Sequence, residues 1–304
     1  MTPTLWFIAG ALAAVLIVAL VVILATSRLA TSVRNLGRAV GLAVPEALEA
    51  KLGSRIRGSR LAFTVGSLVG LAVTTAALAL SGAPSDNENP ALIWLLAGGV
   101  VAGGSLASAI YALTAKPVLP EGERIARSGA VTLNDYLDPV DLVGARLAVG
   151  AGILSLGVAL LVVPETVSAA AALIVVLAAV SLVFFEIAIR RILDRPQPAG
   201  STAELAWDDA LRGLSMRNVA SAPMSFGVWG GLAVLLNVWL DGTSPLASGF
   251  AGGAALVLFA ATFVAAAWSI ATKPPQRYLR RLWPDVAAAA SATATVAAPA
   301  PKAN

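Results

Sequence analysis

The chain has 304 residues, 58% of them hydrophobic and only 12% charged, which is too much apolar surface for a soluble domain of this size. It contains no Cys and no His, so there is no disulfide or thiol chemistry, and the commonest metal ligand and general base is missing. The net charge of +4 calls for no nucleic acid, because a basic face against an anionic inner leaflet accounts for it.

About 20 consecutive apolar residues suffice to cross a bilayer as a helix. Such runs extend over Leu5–Ala25, Leu61–Leu80, Ala91–Leu113, Leu147–Val163, Val167–Ile189, Met224–Leu240 and Leu246–Ala271. The fourth and sixth are short and can start earlier, through Val143 and Val219. The expected fold is an all-α polytopic membrane bundle of seven transmembrane helices, one anchor plus three hairpins, with short amphipathic cytoplasmic helices. The segments between the runs alternate. Arg28–Arg60, Lys116–Arg146, Arg190–Arg217 and Lys273–Lys302 hold every Lys and Arg. Ser81–Pro90, Pro164–Thr166 and Asp241–Pro245 hold none. Basic flanks stay in the cytoplasm, so the N-terminus is expected outside and the C-terminus inside a bacterial plasma membrane.

The layout is therefore a transmembrane anchor (1–27), a basic amphipathic segment (28–60) and a first hairpin (61–115). A cytoplasmic connection (116–146), a second hairpin (147–189) and another connection (190–220) follow. The third hairpin (221–272) leads to a cytoplasmic tail (273–304), whose composition from about 286 onward is that of a disordered chain. The first run could be a signal peptide. Its length, the lack of a basic stretch before it and Arg28 after it favour a retained anchor. Lys116-Pro117, Arg195-Pro196 and Lys273-Pro274 recur at similar intervals, so the hairpins either repeat or share only the residues that helix ends need.

In the first basic segment Leu29, Val33, Leu36 and Val40 recur at helical spacing, with Arg34 and Arg38 opposite. Pro45 can open a second short helix striped by Leu48, Leu52 and Ile56. This reads as an amphipathic element on the inner leaflet, or packed on a partner protein. In the next connection Thr132 and Asp135 make a weak capping box. In the third, Ser201 and Glu204 make a better one and predict a helix over Thr202–Leu214, with an Asp208–Arg212 pair at i,i+4. Trp207 would anchor that helix to lipid or to the spans. Asp208 and Asp209 would serve as a docking face.

Few residues suggest chemistry. Glu186 lies inside an apolar run, where a carboxylate is a functional candidate, but it is one turn from the inner end. A structural pair with Arg190 or a neighbouring basic residue is the favoured reading. Asp135, Asp138 and Asp141 could hold a divalent cation or act on headgroups. Their spacing fits no metal motif, and solvated loop acids near Arg124, Arg127 and Arg146 are favoured. No cofactor motif is present. Gly66-xxx-Gly70 and Gly99-xxx-Gly103 give flat faces on the second and third spans, suited to close packing within the chain or between copies.

Arg195-Pro-Gln-Pro-Ala-Gly-Ser-Thr-Ala-Glu-Leu-Ala-Trp-Asp-Asp-Ala-Leu-Arg212 resembles a segment of a family of actinobacterial multi-pass membrane proteins with no established activity. Leu133-Asn-Asp-Tyr-Leu-Asp-Pro139 resembles the preceding loop of the same family. The resemblance implies a bacterial plasma membrane and lends no residue a role. Three function classes stay open: a non-catalytic subunit or accessory of a membrane assembly such as an exporter, a self-contained small-solute carrier, and a membrane-embedded enzyme. The first implies a membrane or cytoplasmic protein partner.

Overall fold

The computed structural model describes residues 3–25, 29–80, 91–114, 131–197, 199–241, 244–272 and 276–286. Among these residues every extended element is helical. In chain order they are α1 (Pro3–Ala25), α2 (Leu29–Val40), α3 (Glu46–Leu80), α4 (Ala91–Thr114) and α5 (Leu133–Tyr136). Then come α6 (Pro139–Val162), a 3-10 turn (Pro164–Thr166), α7 (Ala169–Leu193), α8 (Thr202–Asp241), α9 (Pro245–Thr272) and α10 (Arg277–Leu282). Expectations placed on Arg124, Arg127, Lys116-Pro117, Lys273-Pro274, the Ser81–Pro90 loop and the tail after Val286 lie outside the described residues.

Six helices, α3, α4 and α6 to α9, are long and apolar enough to cross a membrane. The described side chains of α1 add a shorter apolar stretch, Ala9–Val21. Large apolar side chains such as Val73, Leu154, Val180 and Leu256 face outward along these helices, as lipid-facing positions do.

Two helices differ from expectation. The amphipathic segment after Pro45 is not a separate short helix, because α3 runs unbroken for 35 residues. Likewise the Thr202 helix does not stop at Leu214 but continues into the apolar run as the 40-residue α8. At 1.5 Å per residue these helices are about 52 Å and 60 Å long, so each outreaches a hydrocarbon core of about 30 Å. Nothing in either junction stops a helix: Lys51–Leu61 and Leu211–Ala222 hold glycines but no proline. Pro223 sits inside α8 and removes one main-chain donor, yet the helix continues.

Helix α8 is the hub, packing on α4, α6, α7 and α9. Of its apolar window 56% is buried, against 11% for α9, so α9 is the peripheral member. Helices α3 and α4 pack tightly on each other. Helices α6 and α7 touch each other less closely and flank α8. On α8, Gly227 and Gly231 face α6 near Gly152, and Gly230 faces Val175 of α7.

Two apolar cores result, one toward each end of the bundle. One gathers Ala9, Leu78, Leu96, Ala159, Ile174 and Val234. The other, at the end where the described arginines cluster, gathers Val33, Leu52, Ile56, Leu137, Phe185, Ile189, Trp207, Met216 and Tyr278.

Candidate functional site

The basic connections fold into one layer on the second core. Helix α2 ends in a turn where Gly41 takes φ +76° and Leu42 N–H donates to Gly37 O at 2.9 Å. A glycine in the left-handed region and a bond back to the last turn are the usual way to stop a helix. That stop lets α2 fold back on α3. Its stripe does not lie on lipid: Val33 and Val40 are fully buried in the protein core with Leu52 and Ile56. Trp207 is buried there too, its Nε1–H donating to Ala43 O at 2.9 Å, so it anchors α8 to protein and not to lipid.

Ser201 caps α8 as expected, accepting from Glu204 N–H at 3.2 Å. The Glu204 carboxylate accepts from Gly200 N–H at 2.9 Å and from Lys51 of α3. Asp208 binds Arg55 of α3 at 2.7 Å, not Arg212. A pair one turn apart on a surface is weak, and folding offers a better partner across the layer. Asp209 is fully buried and accepts from Tyr136 at 2.7 Å, Gln197 at 2.8 Å and Trp283 at 2.9 Å. The acids read as a docking face are therefore consumed inside the protein.

Arg212 is also buried, only 7% exposed. Its guanidinium donates to the carbonyls of Leu193, at 2.9 Å, and Arg195, and stands 6.0 Å from the centre of the Tyr136 ring. These main-chain carbonyls hold the guanidinium without cancelling its charge.

The aspartate cluster is not a set of solvated loop acids. Asp138 and Asp141 are 7% and 8% exposed, and each aspartate faces an arginine from far along the chain. Asp135 meets Arg281 at 3.1 Å, Asp138 meets Arg277 at 3.4 Å and Asp141 meets Arg217 at 3.6 Å. Asp138 also caps α6, accepting from Val140 N–H at 3.2 Å. Burial alone would raise the Asp135 carboxyl, but the N–H and hydroxyl of Thr132 and the Arg281 guanidinium outweigh it and hold the pKa below the usual 3.8.

Helix α10 brings two of those arginines and lies in the expected cytoplasmic tail, ahead of the part whose composition is that of a disordered chain. It is clamped by Arg277 to Asn134 O at 2.9 Å and by Gln276 to Ala39 O at 3.2 Å. Tyr278 and Leu279 are buried. Burial and the nearby Asp209 carboxylate push the Tyr278 phenol upward. The available signal was Tyr278, Leu279 and Leu282 on one side of a short basic helix.

Glu186 sits apart from these groups. It accepts from Arg146 of α6 at 2.8 Å, a neighbouring basic residue across the helix interface, while Arg190 is exposed. Gly66, Gly70, Gly99 and Gly103 bring the backbones of α3 and α4 together. A Cβ on Gly103 would stand 2.8 Å from Gly70 Cα, and one on Gly70 would stand 3.0 Å from Gly103 Cα.

Between α3, α4, α7 and α8 the layer leaves a cavity of about 230 Å³. Lys51, Arg55, Arg60, Arg195 and Arg212 line it, against the carboxylates of Glu204 and Asp208. Tyr111, Ser59, Ser215 and Asn218 add polar groups. Among the described residues five cations line it against two acids, so the described lining carries a net positive charge. A second groove, between α8 and α9, is apolar and lined by Trp229, Trp239, Leu256 and Phe259. Among the described residues, no group of three or more Asp and Glu is arranged to hold a metal ion. Comparison with known protein families, curated proteins and solved structures finds no match.

Proposed function

We propose that this chain is a non-catalytic subunit or accessory of a bacterial membrane assembly, and that its working part is the folded basic layer. The single observation that carries this reading is that the layer has a packed core of its own. Two helices continue into it without a break, α10 is clamped onto it, and Trp207 and Asp209 sit fully enclosed within it. Ordering this much chain costs about 1–2 kcal/mol per residue, and a core of its own offsets that cost. A loop that served only to join spans would need no such core.

The distribution of Lys and Arg supports a cytoplasmic position for the layer in the plasma membrane, with the N-terminus outside. The partner surface is the outer face of the layer, where Arg34, Arg38, Arg190 and Arg191 are exposed, and no longer Asp208 and Asp209. Purification in mild detergent, with identification of the proteins that come along, tests the reading. A stoichiometric partner lost on charge reversal of Arg34 and Arg38 supports it. A protein that purifies alone and moves a solute in liposomes replaces it with the carrier reading.

One observation favours that second reading. Ser105 and Ser221 share a hydrogen bond of 2.6 Å between α4 and α8, and the hydroxyls of Ser67 on α3 and Ser108 on α4 are buried without a hydrogen-bond partner among the described residues. These hydroxyls are polar groups inside an otherwise apolar bundle, which a carrier would need. Uptake into liposomes that fails on changing Ser105→Val and Ser221→Val would raise the carrier above the subunit.

A further inference from the structure

We propose that the cavity between α3, α4, α7 and α8 binds a phosphate group, presented either by the headgroup of an anionic phospholipid or by a small soluble phosphate. Three observations carry the inference, and none depends on a protein partner.

The first is charge. Among the described residues five cations and two carboxylates line the cavity, and Glu204 and Asp208 engage Lys51 and Arg55. Arg212 matters most. It is nine-tenths buried, lines the cavity, and is held by carbonyl oxygens and an aromatic face instead of a carboxylate. A buried cation is costly to desolvate, and an anion in the cavity would offset that cost. Guanidinium groups offer the planar paired donors that suit phosphate oxygens.

The second is position. Arg60 directly precedes the apolar run of α3, Tyr111 lies in the last turn of α4, and Ile192 and Arg195 flank the end of α7. The cavity therefore sits at the plane where three apolar stretches begin. In a bilayer this is the level of the phosphates.

The third is lining and size. Ile56, Ile192, Leu211 and Leu214 supply apolar wall beside the cations, and Tyr111 and Ser59 supply hydroxyls. About 230 Å³ accepts a phosphate with a small polar substituent. Mixed apolar and cationic walls suit an amphiphile better than a bare ion.

The test uses the full chain in nanodiscs of phosphatidylcholine. In one arm phosphatidylglycerol is titrated into the bilayer, and in the other pyrophosphate is titrated into solution. The unfolding midpoint is followed for wild type, for Arg55→Gln with Arg60→Gln, and for Arg190→Gln with Arg191→Gln, which removes two exposed cations outside the cavity. Stabilisation by phosphatidylglycerol alone identifies a headgroup, and stabilisation by pyrophosphate identifies a soluble phosphate. Either must weaken by about tenfold or more in apparent affinity in the cavity variant, and by less than about twofold in the control. Equal loss in both variants would mean general surface attraction and overturns the proposal, as does no stabilisation in either arm. Should the cavity variant misfold, Ser215→Phe fills the space and keeps every cation. It must abolish the stabilisation, and unchanged binding in that folded variant overturns the proposal equally.

Discussion

Trp283 Nε1–H donates to Asp209 Oδ2 at 2.9 Å and so ties the end of the described chain to the first turns of α8, 74 residues earlier. Asp209 is fully buried and takes two further bonds, from Tyr136 and Gln197. Each such bond contributes about 1 kcal/mol net, and an orphaned buried donor costs more. Asp209→Ala should therefore lower stability by about 3 kcal/mol, and Trp283→Phe, which keeps the ring, by about 1 kcal/mol. Detergent melts of the two variants check the order. Equal losses would mean that Asp209 holds nothing beyond Trp283.

Acid should loosen the same clamp. The Asp135 carboxyl is held below its usual pKa of 3.8, with Arg281 at 3.1 Å among the causes. A depressed carboxyl contributes stability that is present above its unfolded pKa and lost as pH falls through the folded one. Hydrogen exchange of the α10 amides, corrected for intrinsic rates, should be steady near neutrality and accelerate as pH drops below about 3.8. Asp135→Asn should remove that part of the acid response. A variant that still responds as wild type does would assign it to other carboxylates.

The glycine contacts predict a sharp contrast between positions. Leucine at Gly103 must displace the α3 backbone, since Gly70 Cα is 2.8 Å from the Cβ site. Gly103→Leu should cost at least about 3 kcal/mol, because backbone cannot yield as a side chain does. Gly150 in α6 has nothing within 4 Å, so Gly150→Ala should be neutral or mildly stabilising through helix propensity. Thermal unfolding in one detergent compares them directly. An unchanged midpoint for Gly103→Leu would place that face outward.

The glycine spacing was legible because close packing needs small residues at i and i+4 and little else. The apolar runs were legible for the same local reason. What could not be read was where the polar groups go. Helical arithmetic offered Arg190 to Glu186 and Arg212 to Asp208, whereas the fold supplies Arg146 and Arg55 from other helices. The aspartates looked solvated because their partners, Arg217, Arg277 and Arg281, lie far along the chain. The stripe of Val33 and Val40 reveals an apolar face but not what covers it. Trp207 supplies part of that cover here. The unbroken α3 and α8 are hard to read because the sequence shifts from amphipathic to apolar within each, although neither junction contains a proline.

Glu186 should prove dispensable for folding. Its pair with Arg146 is half exposed, with side-chain exposures of 28% and 51%, so solvent screening leaves it at about 0–1 kcal/mol. Glu186→Gln keeps shape and an acceptor for Arg146 Nε–H. Expression and melting temperature should stay within the spread of replicate wild-type preparations. Loss of proton-coupled transport with normal folding would instead identify the carboxylate as a carrier group.

The two apolar cores predict that the basic layer can be weakened without dissolving the bundle. Trp207 is 1% exposed in the core of the layer and holds Ala43 O, so Trp207→Ala should cost about 3–5 kcal/mol there. The contact between Ser105 of α4 and Ser221 of α8 lies apart from Trp207. The chain has no cysteine, so Ser105→Cys with Ser221→Cys gives a reporter of that contact that adds no new Cβ, the two hydroxyls being 2.6 Å apart. Cross-linking with a membrane-permeant oxidant should remain efficient when Trp207→Ala is added. Proteolysis within residues 29–60 should become much faster, because α2 loses the ring that covers it. A partner held by the layer should be lost in the same variant. Loss of the cross-link would mean that spans and layer form one cooperative unit, and the layer could not then be treated as a separate working part.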